Sequence, residues 1–427
     1  GDDMNRPTEF VSVPLMTAQR VSLIGGLMVA IGPIAMALYT PAMPGVVAAY
    51  ESANSIVKLT LTLYFAGFAI SQLVAGPLSD AIGRRPVTVI FAAIFCAASL
   101  GALLAPTIET LTFARFAQGV GASAGVALSR AIVRDCFQGD ESSSIMNMIG
   151  IILAVGPAVS PTIGGLLVLH VGWKSVFAVM ILFGLAVALV AQVAMRETLP
   201  APQPLRLAAL GRSYLRLLGN RNFMTASLTV AGSVGAIYAQ ATLLPFILMG
   251  QIGLSPSSFG LAMLLQSGLF FSGALVARSV MKRTSAYRLV WPGLGAIALG
   301  ALFIFLLLWA DDPKTFRVMV PVGIYAFGIA FVMPAMSTAA LAPFPRIAGA
   351  AAALMGFLQM GAGVLVGTIG AFFADTLVAF AVLIPTMAVV ACISYAIYRL
   401  NPHLAKPEPR ENVIGAAPPG RTFLREE

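Results

Sequence analysis

Charged residues are scarce in this chain of 427 residues: Asp, Glu, Lys and Arg make up 10%, whereas hydrophobic residues make up 59%. Soluble globular proteins carry about 25% charged and about 45–50% apolar residues. The apolar residues also form long blocks, and the mean hydropathy is +0.91. These features exclude a soluble enzyme, a disordered protein and a secreted disulfide scaffold. The sequence predicts an all-α membrane protein with many spans.

Cysteine and histidine are also scarce. Cys96, Cys136 and Cys392 lie in or at the end of apolar blocks, which is typical of small buried residues rather than of disulfides. His170 and His403 are far apart in the sequence, so no histidine-based metal cluster is available. We therefore expect no metal site and no cofactor.

The ends of the chain are polar. The first twenty residues include Arg6, Glu9 and Arg20, which predicts no cleavable signal peptide. We interpret residues 1–3, ahead of Met4, as an expression scar. Segments 1–20 and 401–427 are predicted to be cytoplasmic extensions.

Apolar blocks of about 20 residues, the length needed to cross a bilayer, predict twelve spans. Their approximate bounds are 21–46, 56–79, 86–105, 110–134, 143–169, 174–195, 223–250, 256–280, 287–309, 315–341, 347–374 and 377–399. The stretch between the sixth and seventh spans is different, because it holds several prolines and five arginines. We predict an N-terminal six-helix bundle (21–196), a basic cytoplasmic linker (197–222) and a C-terminal six-helix bundle (223–400).

The basic residues are distributed unequally between the two sides of this topology. With the N-terminus in the cytoplasm, 21 of the 26 Lys and Arg residues fall on the cytoplasmic side. The positive-inside rule therefore predicts that both termini are cytoplasmic. The net charge of +9 then reflects orientation in the membrane, and we expect no nucleic-acid partner. Two related bundles around a midplane site are typical of secondary transporters.

The loop after the second span carries the first motif, Gly-Pro-Leu-Ser-Asp-Ala-Ile-Gly-Arg-Arg-Pro at 76–86. Its acidic residue can pair with arginines or with a helix N-terminus, so that the loop acts as a latch between two conformations. The residues that we assign to this latch are Gly76, Asp80, Gly83, Arg84, Arg85, Arg134 and Asp135.

This loop resembles the signature loop of the major facilitator superfamily. The segment 111–119, with Arg115, Gln118 and Gly119, resembles the span-four motif of that superfamily. The segment 156–165 is similar to the antiporter motif of drug/proton antiporters, although Ser160 and Asn147 stand where that motif has glycine. The motif residues retained here are Gly156, Pro157, Pro161, Gly164 and Gly165.

The segments 39–44, 59–64, 119–123 and 130–135 resemble the Bcr/CflA-type transporters more narrowly, as do parts of span eleven. The resemblance implies a monomeric multi-pass protein of the bacterial inner membrane. It also implies alternating access and export of phenicol-like or bicyclomycin-like antibiotics in exchange for protons. The expected partners are the drug, protons and membrane lipids.

Arg115 is the first candidate for the substrate site, because a charge in the middle of a span normally faces the interior of the bundle. It could bind an anionic or polar substrate, respond to a nearby proton, or only pair with Gln118 and backbone carbonyls. Polar, aromatic and methionine side chains in the other spans suit an adaptable drug pocket. These candidates are Met36, Ala37, Tyr39, Tyr64, Phe68, Asn147, Tyr238, Gln240, Gln266, Tyr325, Met333, Met355 and Gln359.

All seventeen acidic residues fall at span ends, in loops or in tails. Related exporters usually carry an acid in span one, at a position that corresponds to Ala37 here. Three interpretations remain open: an acid-to-alanine change introduced into this chain, proton coupling through Asp135, Glu109 or Asp80, or the absence of proton antiport.

Three other functions are weighed. A uniporter or symporter could use Arg115 to hold an anionic or polar metabolite. A membrane sensor would need a signalling domain, for which the tail is too short. A membrane enzyme is disfavoured because the spans contain no metal or nucleophile constellation.

Overall fold

The computed structural model describes residues 15–400, except for the side chains of six residues of one helix: Gly139, Ser143, Asn147, Gly150, Leu153 and Ala154. The tail 401–427, most of segment 1–20 and the side chain of the candidate residue Asn147 therefore lie outside the described residues. Within residues 15–400 the regular structure is helical and there is no strand.

Fifteen α-helices follow one another along the described chain. They are α1 (Ala18–Ala37), α2 (Met43–Tyr50), α3 (Asn54–Ile82), α4 (Arg84–Leu103), α5 (Ile108–Ala122), α6 (Ala124–Cys136), α7 (Gly139–His170), α8 (Ser175–Val193), α9 (Leu207–Leu218), α10 (Arg221–Pro245), α11 (Pro256–Met281), α12 (Val290–Phe305), α13 (Thr315–Leu341), α14 (Ala348–Ala371) and α15 (Thr376–Arg399).

Eleven helical stretches of the described chain are long and apolar enough to cross a membrane. They match eleven of the twelve predicted spans. The remaining predicted span, 143–169, lies in α7, which is 32 residues long and whose described apolar part is Val155–His170. The total of twelve spans stays a prediction.

The first span is less regular than the sequence pattern suggests. Helix α1 ends at Ala37, a short 3₁₀ turn at Thr40–Ala42 follows, and α2 continues the same stretch to Tyr50. Pro41 stands at the start of the 3₁₀ turn, where proline is tolerated because its missing N–H has no helical partner to lose. The break places Tyr39 at the junction of two helices.

Helix contacts repeat between the two halves. The pairs α1–α7, α3–α5, α4–α5 and α4–α8 of the first half correspond to α10–α14, α11–α13, α12–α13 and α12–α15 of the second half. Two further pairs, α3–α14 and α7–α11, join the halves. In the correspondence above, α3 matches α11 and α7 matches α14, so each of these two pairs is the counterpart of the other. The halves are therefore related by a pseudo-two-fold arrangement.

Buried apolar residues form two clusters that follow this division. One cluster comes mainly from residues 16–195 and the other from residues 217–398. Each half of the described chain therefore has its own hydrophobic core.

Backbone-to-backbone packing joins α3 and α5. A Cβ atom on Gly119 would overlap the carbonyl oxygen of Tyr64, and a Cβ atom on Gly67 would overlap that of Phe116. Small residues allow helices in membranes to approach this closely. The consequence is that Tyr64 of α3 lies directly beside the Arg115 turn of α5.

Candidate functional site

Arg115 lies in α5 between two tyrosine rings. The centre of its guanidinium is 4.2 Å from the ring centroid of Tyr39 and 4.6 Å from that of Tyr64. A cation over an aromatic face is stabilised by the quadrupole of the ring, and more strongly where water is excluded. Arg115 is 0% exposed, so these rings replace part of the hydration that the charge has lost.

The polar contacts of Arg115 are few. Both Nη atoms donate to the carbonyl oxygen of Ala35, at 3.3 and 3.2 Å, and Nη1 donates to Oε1 of Gln118 at 2.8 Å. The Nε atom has no hydrogen-bond partner. Among the described residues, Arg84 pairs with two carboxylates, whereas no carboxylate pairs with Arg115. The contacts with Gln118 and a carbonyl match the structural alternative that the sequence left open.

The two tyrosines are held in place by their hydroxyl groups. The hydroxyl of Tyr39 lies 2.5 Å from the Oγ1 atom of Thr60, and the hydroxyl of Tyr64 donates to the carbonyl oxygen of Gly32 at 2.8 Å. On the other side of the cation, Gln118 donates to the Oγ atom of Ser99 at 2.8 Å. We call the group formed by Arg115, Tyr39, Tyr64 and Gln118 the arginine cage.

Three of the other predicted substrate residues form two groups. Phe68 contacts Tyr64, with ring centroids 6.4 Å apart, and therefore adjoins the arginine cage. Gln240 and Gln266 form a separate buried pair in the second half, where Gln266 Nε2 donates to Gln240 Oε1 at 2.9 Å. The Nε2 atom of Gln240 has no partner. The Gln240–Gln266 pair therefore keeps an unused N–H donor, as Arg115 does.

Aromatic rings cross from the arginine cage to the second half of the chain. Phe65 lies next to Tyr64, with centroids 5.8 Å apart, and contacts Tyr238 of α10 at 5.2 Å. Phe65 is absent from the sequence-based candidates because an apolar residue in a span gives no signal of its position. Of the remaining candidates, Ala37 and Met355 are buried and Met36 and Gln359 are half-buried.

The latch residues come together at the far end of α3. Arg84 pairs with Asp80, and its Nε atom donates to Oδ2 of Asp135 at 2.9 Å. Asp135 also accepts from the Oγ1 atom of Thr198 at 2.8 Å. This arrangement is the acid–arginine pairing that the motif predicted, although Arg134 is exposed and Thr198 was not foreseen.

Glu197 caps the start of α4. Its Oε1 atom accepts from the backbone N–H of Arg84 at 2.9 Å, and its Oε2 atom accepts from that of Arg85 at 3.2 Å. A carboxylate at a helix N-terminus satisfies free N–H groups and the positive end of the helix dipole. Gly83 precedes the helix with φ +110°, which favours glycine. Gly76 lies inside α3.

The antiporter-motif residues pack on the other half of the molecule. A Cβ atom on Gly165 would overlap the carbonyl oxygen of Pro256, and one on Gly260 would approach the carbonyl oxygen of Pro161 to 2.5 Å. Gly164 contacts the α1 break in the same way, whereas nothing lies within 4 Å of Gly156. The motif therefore builds the α7–α11 contact, with Pro157 one turn away from Pro161 in the same helix.

Lys58 forms a contact between the halves at the opposite end of α3 from Arg84. Its Nζ atom donates to Oγ1 of Thr376 at 2.7 Å and lies 5.0 Å from the ring centroid of Phe246. Lys58 is only 1% exposed, so this contact is buried. A cleft of about 250 Å³, lined by Asn54 and Phe372 among others, lies next to it.

We expect Thr376→Val to open this end of the molecule. A hydrogen bond to a charged group contributes about 1.5 kcal/mol or more, so the population open at the Lys58 end should rise about tenfold. Spin labels at Asn54 and Phe372 would report it as a longer distance. Thr386→Val is a suitable control, because Thr386 is exposed and bonds only its own helix. Equal distance distributions in both variants would contradict the prediction.

Comparisons with known proteins agree with the fold. The family model described as Major Facilitator Superfamily matches residues 25–368. A solved structure of a D-xylose-proton symporter superposes with a TM-score of 0.71 and 14% sequence identity, covering 91% of this chain and 99% of that one. At this identity the likeness concerns the fold alone.

Two curated relatives are more similar in sequence. The chain is 31% identical over 341 residues to the chloramphenicol resistance protein of Pseudomonas aeruginosa, which covers 79% of each protein. It is 29% identical over 340 residues to multidrug resistance protein D of Escherichia coli (strain K12), covering 79% of this chain and 85% of that protein.

Proposed function

Because the chain belongs to the Major Facilitator Superfamily of membrane transporters, we propose that it exports small amphipathic antibiotics across the bacterial inner membrane in exchange for protons. The substrates proposed are phenicol-like or bicyclomycin-like drugs. The protein acts as a monomer with twelve spans and cytoplasmic termini. The resistance proteins among its relatives support the substrate class.

The observation that carries the mechanism is the arginine cage. Its cation is buried without a counter-ion among the described residues and keeps one unused N–H donor. Its aromatic walls continue through Phe65 to Tyr238 of the other half. A drug with an apolar body and a polar group suits such a wall, and movement of one half against the other would change the wall's shape.

In this proposal the latch controls the Arg84 end and Lys58 the opposite end. Alternating access needs contacts at one end to break while those at the other form. Arg84 lies between two carboxylates, so protonation of Asp135 would weaken the pair and release the latch. Of the three acids considered for coupling, Glu109 is exposed and Asp80 half-exposed, whereas the side chain of Asp135 is 12% exposed.

Growth inhibition of a bacterial strain without its own drug exporters tests the export of drugs. Cells that produce the chain should tolerate several-fold more chloramphenicol than cells producing an equal amount of the Arg115→Met variant. Equal tolerance at equal expression would overturn the proposal.

A second function is favoured by the lack of a counter-ion. An anionic metabolite could supply the missing negative charge to Arg115, in which case the protein would act as a uniporter or symporter. Uptake of labelled organic anions into vesicles would support this function instead. The uptake should be lost in the Arg115→Met variant, and neutral drugs should not be transported.

An acid at position 37 should strengthen proton coupling. Ala37 is buried two residues from Ala35, whose carbonyl contacts Arg115. A carboxylate there would be ionised when Arg115 is near and protonated when it is not. We expect Ala37→Asp to raise drug transport driven by a pH gradient several-fold, because it adds a group that can gain and lose a proton near Arg115. Ala37→Asn is the isosteric control, and equal transport by both variants would contradict the prediction.

A further inference from the structure

Helix α9, in the linker between the halves, exposes an apolar stripe. Leu207, Leu215 and Leu218 are 64%, 70% and 45% exposed, respectively. Their spacing places them on one side of the helix, because residues three and eleven positions apart fall close together. An exposed stripe of three leucines indicates a partner that covers it.

The neighbouring side of α9 is docked onto the protein. Leu217 is fully buried, and the hydroxyl of Tyr214 donates to the carbonyl oxygen of Leu73 in α3 at 2.5 Å. Burial raises the pKa of Tyr214 to about 12, so this hydroxyl remains a donor at neutral pH. The leucine stripe is therefore held at a fixed angle beside the membrane-spanning helices.

Arginines lie at the start of α9 and along it. Arg206 and Arg212 are exposed, and Arg216 lies 5.9 Å from the ring of Phe344. No acidic residue occurs from 198 to 310 of the sequence. The partner of α9 thus has an apolar part next to a negatively charged part. The spanning helix α10 begins at Arg221, three residues after α9 ends, which places α9 at a membrane surface.

We propose that α9 binds anionic phospholipids, with its leucine stripe in the acyl boundary and Arg206 and Arg212 on the phosphate groups. Amphipathic helices with a basic flank lie in the membrane interface in this way. Anionic lipid attracts each nearby arginine by an amount that depends on ionic strength. This inference rests on the membrane location and not on any drug or on proton exchange.

The bound lipid would also reach the latch, because the linker is tied to it at three points. Glu197 caps the helix that begins with Arg84, Thr198 donates to Asp135, and the backbone N–H of Gln203 donates to the carbonyl oxygen of Asp80 at 2.8 Å. A lipid that fixes α9 therefore also restrains the linker segment 197–206, which makes these contacts. Anionic lipid should for this reason stabilise the closed latch.

Thermal unfolding of the full chain in mixed micelles tests the proposal. Phosphatidylglycerol should raise the unfolding temperature more than phosphatidylcholine does, and inorganic phosphate should have no effect. The Arg206→Gln/Arg212→Gln variant should need about 30-fold more phosphatidylglycerol for half of the rise, at roughly fivefold per arginine. The matched control is Lys282→Gln/Arg283→Gln, which removes two exposed charges after α11.

Three outcomes of this titration would overturn the proposal: no preference for phosphatidylglycerol, an equal effect of inorganic phosphate, or an equal loss in both double variants. A second measurement checks whether the leucine stripe of α9 lies in the membrane. A spin label at Leu215 in vesicles should be accessible to oxygen and shielded from a water-soluble relaxation agent, whereas one at the exposed Gln203 should behave oppositely. A water-accessible label at Leu215 would also overturn it.

Discussion

Replacing Arg115 with methionine should slow the proposed drug transport about 100-fold while leaving the protein as stable as before or more stable. Arg115 carries a buried charge without a counter-ion among the described residues, and a charge in the middle of a span costs about 2.5–3.5 kcal/mol on insertion scales. Replacing a buried charge by an apolar side chain of similar volume is often neutral or stabilising. Stability and activity should therefore change in opposite directions, as is typical of functional residues.

The expected loss of transport is about 100-fold. Hydrogen bonds to charged groups contribute about 1.5–3 kcal/mol each, and a substrate that uses the free Nε donor together with the aromatic walls would lose at least this much. Efflux of preloaded chloramphenicol from cells measures the rate, and thermal unfolding of the purified variant measures stability.

Arg115→Lys is the informative companion variant. Lysine keeps the charge but loses the planar face that stacks between Tyr39 and Tyr64, so we expect partial activity. An unfolded Arg115→Met protein, or one that transports at the original rate, would show that Arg115 only supports the structure or plays no role.

Replacing Arg84 with glutamine will both destabilise the protein and stop the latch from closing. The side chain of Arg84 is 8% exposed and pairs with Asp80 and Asp135. Removing one member of a buried pair costs about 3–5 kcal/mol, and the half-exposed Asp80 reduces this to about 2–3 kcal/mol here. Thermal unfolding in detergent gives the stability change, and chloramphenicol efflux gives the transport rate.

A double variant separates charge from packing. Arg84→Gln/Asp135→Asn removes the orphaned carboxylate, so it should recover part of the lost stability without recovering transport. Arg85→Gln is the neighbouring control. The side chain of Arg85 donates to the carbonyl oxygens of Ala191 and Gln192 and to the amide oxygen of Gln192, but to no carboxylate within residues 15–400. A double variant no more stable than Arg84→Gln alone would contradict the electrostatic role of the pair.

Local signals in the sequence predicted much of this architecture. Hydropathy located the spans because the bilayer sets their length, and the loop at 76–86 predicted the pairing of Asp80 with Arg84 because both lie in one motif. Arg115 was conspicuous since a charge inside an apolar block is costly. In each case the physical constraint acts over a few neighbouring residues.

Contacts between distant residues could not be predicted in the same way. The rings of Tyr39 and Tyr64 reach Arg115 through the break after α1 and the close approach of Gly119 to α3. The burial of Lys58 depends on Thr376 at the other end of the chain. The sequence marks these residues as polar or aromatic, but packing between helices decides which of them meet.

Drug uptake into proteoliposomes under an imposed pH gradient tests the central claim, that this chain couples drug movement to proton movement. Inside-out oriented protein in vesicles with an acidic interior should accumulate labelled chloramphenicol, and the accumulation should collapse when a protonophore is added. The Arg115→Met variant should show no accumulation. Uptake that only equilibrates, at the same rate with and without the gradient, would contradict antiport and leave a carrier without proton coupling.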